Sequence, residues 1–234
     1  TIMSVAKKQY KRITTKSLVE MKANGEKISM LTAYDYTMAK MVDAAGVDCI
    51  LVGDSASNVM AGHETTLPIT LDQMIYHASS VIRAVDRALV VVDLPFGTYQ
   101  GDSKQALNSA IRVMKESGGH AVKLEGGSSM ANRAKAIANS GIPVVGHIGL
   151  TPQSSAAFGG YRVVGREPSE VENLRRSIQE LEEAGVFAVL LEAIPPSVSK
   201  VLTKNATSII FGIGAGKYTH GQLLILHDLL GLYP

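Results

Sequence analysis

Short apolar runs alternate with longer amphipathic stretches along the whole chain, and that alternation restricts the fold more than any other feature. The runs fall at residues 28–31, 50–52, 89–92, 121–124, 142–145, 186–191 and 209–213, with 223–226 as an eighth. They are short and rich in Val, Ile and Leu, which is how strands buried on both faces read. Between them, residues 36–45, 71–83, 104–116, 129–139, 168–184 and 196–202 carry helical patterning. Thr70 and Asp102 are placed to open two of these helices, and Gly46, Gly118, Gly141 and Gly185 to close four. Residues 14–24 add a helix ahead of the first strand. Repeated strand–helix units imply right-handed crossovers and a parallel sheet. Such a sheet either closes on itself or stays open and doubly wound. Three features favour closure: the count near eight, the length of 234 residues against roughly 250 for the closed fold, and the lack of a glycine-rich dinucleotide fingerprint after Leu31. The expected fold is therefore α/β, a (β/α)8 TIM barrel with an extra N-terminal helix. Residues 1–234 read as one domain, with no linker or low-complexity segment.

Composition removes several functional classes. The formal charge is +2, from 23 basic and 21 acidic residues, so there is no electrostatic footprint for nucleic acid. No apolar run approaches the roughly 20 residues that span a bilayer, and residues 1–12 carry no apolar core of a secretory signal. Cys49 is the single cysteine, which excludes an intrachain disulfide and a cysteine-based zinc cluster. A cytoplasmic protein without nucleic-acid or membrane partners is expected.

What ends each run is more informative. The second leads through Gly53 to Asp54 and Ser55, the third to Asp93, the fourth through Lys123 to Glu125, the fifth through Gly146 to His147, and the sixth to Glu192. In a barrel the carboxyl ends of the strands form one rim, where catalytic groups sit. Any one of these acids could cap a helix or face solvent in a loop. As a set they converge, and Asp54 and Asp93 are followed by Ser55 and by Leu94 and Pro95 rather than by an immediate helix. Lys123 and Glu125 are two apart and share a face of their strand. Carboxylates gathered on one rim repel unless a cation sits among them, and all-oxygen ligation suits Mg2+. Glu192 reads equally as a general base or as one half of a salt bridge. The glycine-bearing loops after the second and fifth strands, through residues 62–68 and 149–161, have the makings of substrate covers. The five glycine-rich residues 212–216 lack the Lys-Ser/Thr of a phosphate loop and read as close packing at a strand end. His63, His77, His120, His220 and His227 have no metal-type spacing.

Nine blocks occur in the order seen in one known family. They are Leu-Thr-Ala-Tyr-Asp at 31–35, Val-Gly-Asp-Ser at 52–55, Gly-His at 62–63, Thr-Leu-Pro at 66–68, Asp-Leu-Pro-Phe at 93–96, Val-Lys-Leu-Glu-Gly-Gly at 122–127, Gly-His-Ile-Gly-Leu-Thr-Pro-Gln at 146–153, Phe-Gly-Gly-Tyr at 158–161 and Gly-Ile-Gly-Ala-Gly at 212–216. On these the chain resembles the ketopantoate hydroxymethyltransferase family from about residue 14 to residue 232. The resemblance implies Mg2+-dependent transfer of a one-carbon unit from 5,10-methylenetetrahydrofolate to 3-methyl-2-oxobutanoate, giving 2-dehydropantoate for pantothenate synthesis through a metal-stabilised enolate. It implies a homo-oligomer, often a decamer. Position by position, it implies Asp54 and Asp93 as metal ligands, with Glu125 a ligand directly or through water. Asp54, Ser55, Asp93 and Lys123 would contact the oxo acid, Glu192 would be the general base, and His147 would line the site. His220 stands where the family usually has Asp, and family members continue past the eighth strand with a helix that is expected to be missing from this chain.

The nearest rival reading is a Mg2+-dependent lyase or mutase of the phosphoenolpyruvate mutase and isocitrate lyase type. Those lyases carry a reactive cysteine in a flexible loop, whereas Cys49 falls at the start of a buried run. A non-catalytic metabolite-binding barrel is disfavoured by the whole set of ionisable rim residues. The one-carbon carrier, folate or methanopterin, is not separable from sequence.

Overall fold

The computed structural model describes residues 11–233. Eight parallel strands close into a barrel in chain order: β1 Ile28–Thr32, β2 Cys49–Val52, β3 Leu89–Asp93, β4 Ala121–Glu125, β5 Val144–Gly149, β6 Ala188–Glu192, β7 Ile209–Ile213 and β8 Gly221–Leu224. Closure is made by β8 on β1, with Ile28 opposite Gly221 and Leu31 opposite Leu224. The helices are α1 Thr15–Ala23, α2 Tyr36–Ala44, α3 Ala56–Val59, α4 Leu71–Ala84, α5 Ser103–Ser117, α6 Ala131–Asn139, α7 Ser155–Phe158, α8 Pro168–Glu183, α9 Pro196–Asn205 and α10 Leu226–Leu229. None among the described residues is long and apolar enough to cross a membrane. Side chains satisfy the first free N–H groups of several helices. Thr14, Asp35, Thr70 and Asp102 accept from backbone N–H groups of α1, α2, α4 and α5.

Strand alternation sorts the core into two layers. Inward positions such as Cys49, Leu51, Leu89, Val91, Ala121, Val145, Leu190 and Phe211 fill the barrel. Outward positions such as Ile50, Val92, Leu124, Val189 and Ile210 pack under the helices. The sequence-predicted N-terminal helix closes the amino end of the barrel. Leu18 of α1 is fully buried against the inner layer, and Lys22 Nζ donates to the carbonyls of Ala206, Thr207 and Ser208 at 3.2, 2.7 and 2.7 Å.

His120 and His220 do the same job one half-barrel apart. Each immediately precedes a strand, β4 and β8. Their N–H groups donate to the carbonyls of Val90 and Ile210, and their Nδ1 atoms accept from the N–H groups of the same two residues at 2.9 Å. The position where the family usually has Asp is thus a ladder-completing acceptor at the amino end, away from the rim.

Four details differ from the sequence expectation. Asp54 and Ser55 are followed at once by the short helix α3. The fifth strand begins at Val144 and runs on through His147 to Gly149. Residues 128–130 form a 3-10 turn before α6, and the eighth strand ends at Leu224, leaving Leu226 to start α10. The outer face of β8 and β1 is also less covered than the rest: Ser29 is exposed and Leu224 is 43% exposed, while Ile50, Val90, Val122 and Ile210 are fully buried.

Candidate active site

Period-two alternation delivers the site. With Leu89 and Val91 inward, Asp93 is inward; with Ala121 inward, Lys123 and Glu125 are too. His147 and Glu192 continue the inward rows of β5 and β6, after Val145 and Leu190. Asp54 follows β2 across Gly53, where a Cβ would lie 2.7 Å from Ser55 Oγ, so a larger residue there would displace the Ser55 hydroxyl. All seven predicted residues, Asp54, Ser55, Asp93, Lys123, Glu125, His147 and Glu192, line one cavity of about 420 Å³ at the carboxyl end of the barrel. Leu51, Leu190, Ile213 and Leu223 give the same cavity an apolar wall.

The charged groups form a compact network. Lys123 Nζ lies 3.1 Å from Asp93 Oδ1, 3.3 Å from His147 Nδ1 and 3.9 Å from Glu125 Oε1. His147 Nδ1 is 3.3 Å from Glu125 Oε1, and Nε2 is 3.0 Å from Glu192 Oε2, a charge contact outside hydrogen-bond geometry. Burial and Lys123 press the imidazolium to release its proton, but Glu125 and Glu192 outweigh them and its pKa is pushed up to about 9. Lys123 is likewise held charged above its ordinary range, because Asp93, Glu125 and Asp54 overcome its burial. Burial, then the charges of Asp93 and Glu125, push Asp54 up to about 8, and burial also raises Asp93. Glu125 goes the other way: burial opposes ionisation, but the neighbouring His147 prevails.

This donor set fits a hard divalent cation at Asp54 and Asp93. Their carboxylates are crowded enough to resist ionising together, and buried Asp93 Oδ1 has no hydrogen-bond partner although Lys123 is near. Glu125 is less available, since Oε2 accepts from Gln153 N–H at 3.0 Å while Oε1 faces His147. Among the described residues no three His, Cys, Asp or Glu side chains form a ready-made metal cage. Two protein carboxylates completed by water and substrate oxygens is the usual Mg2+ arrangement.

Three residues of the site were not singled out by sequence. Gln153, on the loop after β5, donates from Nε2 to Asp54 Oδ2 at 2.8 Å and to Leu94 O at 3.1 Å. Its Oε1 accepts from Tyr99 OH at 2.5 Å, and Tyr99 OH in turn accepts from Glu125 N–H at 3.1 Å. Tyr34 OH meets Ser55 Oγ at 2.7 Å. The Pro-Gln loop motif and the tyrosine beside Asp35 marked these segments, but their roles depend on contacts far along the chain. Cys49 is fully buried inside the barrel, where burial pushes its thiol up, so it has none of the exposure of a lyase loop cysteine.

The barrel fold is shared with known structures. Phosphoenolpyruvate phosphomutase from Streptomyces platensis subsp. rosaceus superposes with a TM-score of 0.69 at 16% identity, covering 92% of this chain and 82% of that one. A 2,3-dimethylmalate lyase, of the PEP mutase/isocitrate lyase superfamily, gives 0.68 at 16% identity over 93% and 82%. At such identity the likeness concerns the fold. The model of the ketopantoate hydroxymethyltransferase family matches residues 12–234, and this chain belongs to that family. The 3-methyl-2-oxobutanoate hydroxymethyltransferase of Flavobacterium johnsoniae is 67% identical over 230 residues, 98% of this chain and 85% of the relative. Those of Christiangramia forsetii and Bacteroides thetaiotaomicron are 64% and 58% identical, over 98% and 95% of this chain and 85% and 81% of the relatives. The chain is accordingly an enzyme of the transferase class.

Proposed function

We propose that the enzyme transfers a hydroxymethyl group from 5,10-methylenetetrahydrofolate to C3 of 3-methyl-2-oxobutanoate with Mg2+ at Asp54 and Asp93. The observation that carries this reading is the lining of one cavity, which brings the charged groups of Asp54, Asp93, Lys123, Glu125, His147 and Glu192 together with the apolar Leu51, Leu190, Ile213 and Leu223. A small branched 2-oxo acid has the matching halves, an oxygen-rich head and an aliphatic tail.

When bound, the cation would supply Lewis acidity toward the head's oxygens. Lys123 balances the negative charge of the head and of the enolate that develops at C2–C3. Ser55, steadied by Tyr34, donates to a head oxygen. Glu192 takes the C3 proton, and the released electron pair attacks the methylene carbon of the donor. That attack breaks one of the two carbon–nitrogen bonds of the methylene bridge; water then displaces the second nitrogen and leaves its hydroxyl on the transferred carbon, and the two nitrogens take the proton held by Glu192 and the one released by water as tetrahydrofolate leaves. His147 holds Glu192 and Glu125 from opposite edges of one ring, fixing the direction in which the base points. Cytoplasmic homo-oligomeric assembly belongs to the same reading and rests on the family resemblance.

The test is deuterium exchange at C3 of the oxo acid in D2O with Mg2+ and no donor. Wild-type protein exchanges the proton; Glu192→Gln binds the oxo acid but loses exchange by roughly 10²- to 10⁴-fold. Exchange at the wild-type rate in that variant removes Glu192 as the base.

A further inference from the structure

Tyr99 is 1% exposed and is not among the residues that line the cavity, yet it carries a hydroxyl in behind the rim. A buried phenol without a use for its O–H costs free energy that a phenylalanine in the same place would not. The loop after β3 is built to hold it there. Thr98 donates to Pro95 O from its N–H at 3.2 Å and from Oγ1 at 2.7 Å. Ser109 Oγ and Gln105 Nε2 of α5 donate to the carbonyls of Thr98 and Gly97 at 2.7 and 2.8 Å. From α6, Arg133 Nη2 donates to the carbonyls of Gln100 and Gly101 at 3.2 and 3.1 Å.

The hydroxyl accepts from Glu125 N–H at 3.1 Å. Of the two acceptors within its own reach, Gln153 Oε1 at 2.5 Å is closer than Glu125 O at 3.3 Å, so its proton goes to Gln153. Gln100 Nε2 donates to the same Oε1 at 3.1 Å. With both lone pairs of that oxygen taken, the amide nitrogen of Gln153 must face the other way, toward Asp54 Oδ2 and Leu94 O. The reversed amide would set its oxygen against those two acceptors and its nitrogen against the Gln100 amide nitrogen. Gln153 N–H meanwhile occupies Glu125 Oε2. One glutamine thus commits one oxygen of each of two rim acids to the protein, and donors from the loop after β3 fix which end of its amide does so.

We propose that Tyr99 is a positioning residue for the divalent cation, its hydroxyl locking the Gln153 amide so that Asp54 turns one defined oxygen to the cavity. The inference rests on the proposed function in one respect, the presence of the cation at Asp54 and Asp93.

Direct titration of the protein with Mn2+, which shares the preference of Mg2+ for oxygen ligands, tests it by electron paramagnetic resonance. The proteins compared are wild type, Tyr99→Phe, Gln153→Ala and the double variant. Tyr99→Phe keeps the ring and is expected to weaken Mn2+ binding roughly tenfold, the usual scale for removing a group that orients a metal ligand. In the Gln153→Ala background the same change adds little, because the amide it acts on is gone. Wild-type affinity in Tyr99→Phe overturns the assignment. So do losses that multiply in the double variant, since they mark a merely structural role, and so does a wild-type protein that binds no Mn2+. Should Tyr99→Phe fail to fold, Gln100→Leu decides, because it removes the second donor to Oε1 while Tyr99 keeps Glu125 N–H paired. Weaker Mn2+ binding in that variant supports the lock, and wild-type affinity refutes it. A wild-type protein that binds Mn2+ but exchanges no C3 proton defeats the proposed chemistry, while the titrations still decide the role of Tyr99.

Discussion

Glu192 Oε2 sits 3.0 Å from His147 Nε2, while the opposite nitrogen of the same ring, Nδ1, sits 3.3 Å from Glu125 Oε1. One imidazolium therefore holds two carboxylates on different strands, β4 and β6, from its place on β5. Replacing it frees both and leaves Lys123 as the remaining cation of the network. His147→Gln is expected to lower kcat by roughly 10²-fold, with a smaller change in the oxo-acid KM, as steady-state kinetics would read. Wild-type kcat would mean that Glu192 is positioned by something else.

Gln153 acts on the other side of the site. Its amide nitrogen occupies Asp54 Oδ2, which leaves the second oxygen of that carboxylate to face the cavity. Gln153→Leu strips this contact and the one from Tyr99 OH, leaving that hydroxyl to the Glu125 backbone, at a cost of about 1–3 kcal/mol for the Asp54 oxygen left unpaired. The Mg2+ concentration for half-maximal activity should rise at least several-fold, and Gln153→Ala, which loses the same amide and leaves a void besides, should raise it at least as far. An unaltered Mg2+ titration for the Leu variant would show that Asp54 needs no such support.

His120 and His220 set an acid limit on stability. Burial lowers the pKa of each to about 4, with Arg12 adding to it at His120 and Lys22 and Lys27 at His220. In the unfolded chain both titrate near ~6.5. Between these values the unfolded state binds more protons, so stability is complete above about pH 6.5 and falls as pH drops toward 4. Protonation also removes the Nδ1 acceptors of Val90 and Ile210 N–H. The melting temperature should decline across that window, and less steeply in His220→Asp, whose carboxylate keeps an acceptor there. Identical slopes would exclude His220 from the effect.

Leu18 separates stability from chemistry. It is fully buried at the amino end of the barrel, opposite the rim. Leu18→Ala should cost about 2–5 kcal/mol in chemical denaturation, with C3 exchange per folded molecule unchanged.

The barrel and its rim were readable because period two is visible in short runs: Lys123 and Glu125 share a face by spacing alone. Where reading failed, the cause is physical. The fifth strand is expected at residues 142–145, where the apolar run lies, and the run stops at Gly146. Gly146 is instead required within the strand, where a Cβ would lie 2.7 Å from Leu181 Cδ1, and Gly149 takes φ 95° at its end. The four-residue helix α3 has no side-chain cap to announce it. Gln153 was invisible as a site residue because its partners, Glu125 and Asp54, lie 28 and 99 positions away. Likewise the pairing of Glu192 with His147 follows from the register of β5 on β6, which no local pattern encodes.

The tie between Lys22 and the carbonyls of Ala206, Thr207 and Ser208 has a kinetic consequence. It joins groups 184 to 186 positions apart. A contact that distant forms only after the intervening chain has been ordered. Docking of α1 on the amino end of the barrel should therefore come late in folding, and Lys22→Ala should speed unfolding more than it slows folding. The ionisable rim groups follow or end β2 to β6, so the site takes its shape before that seal is made.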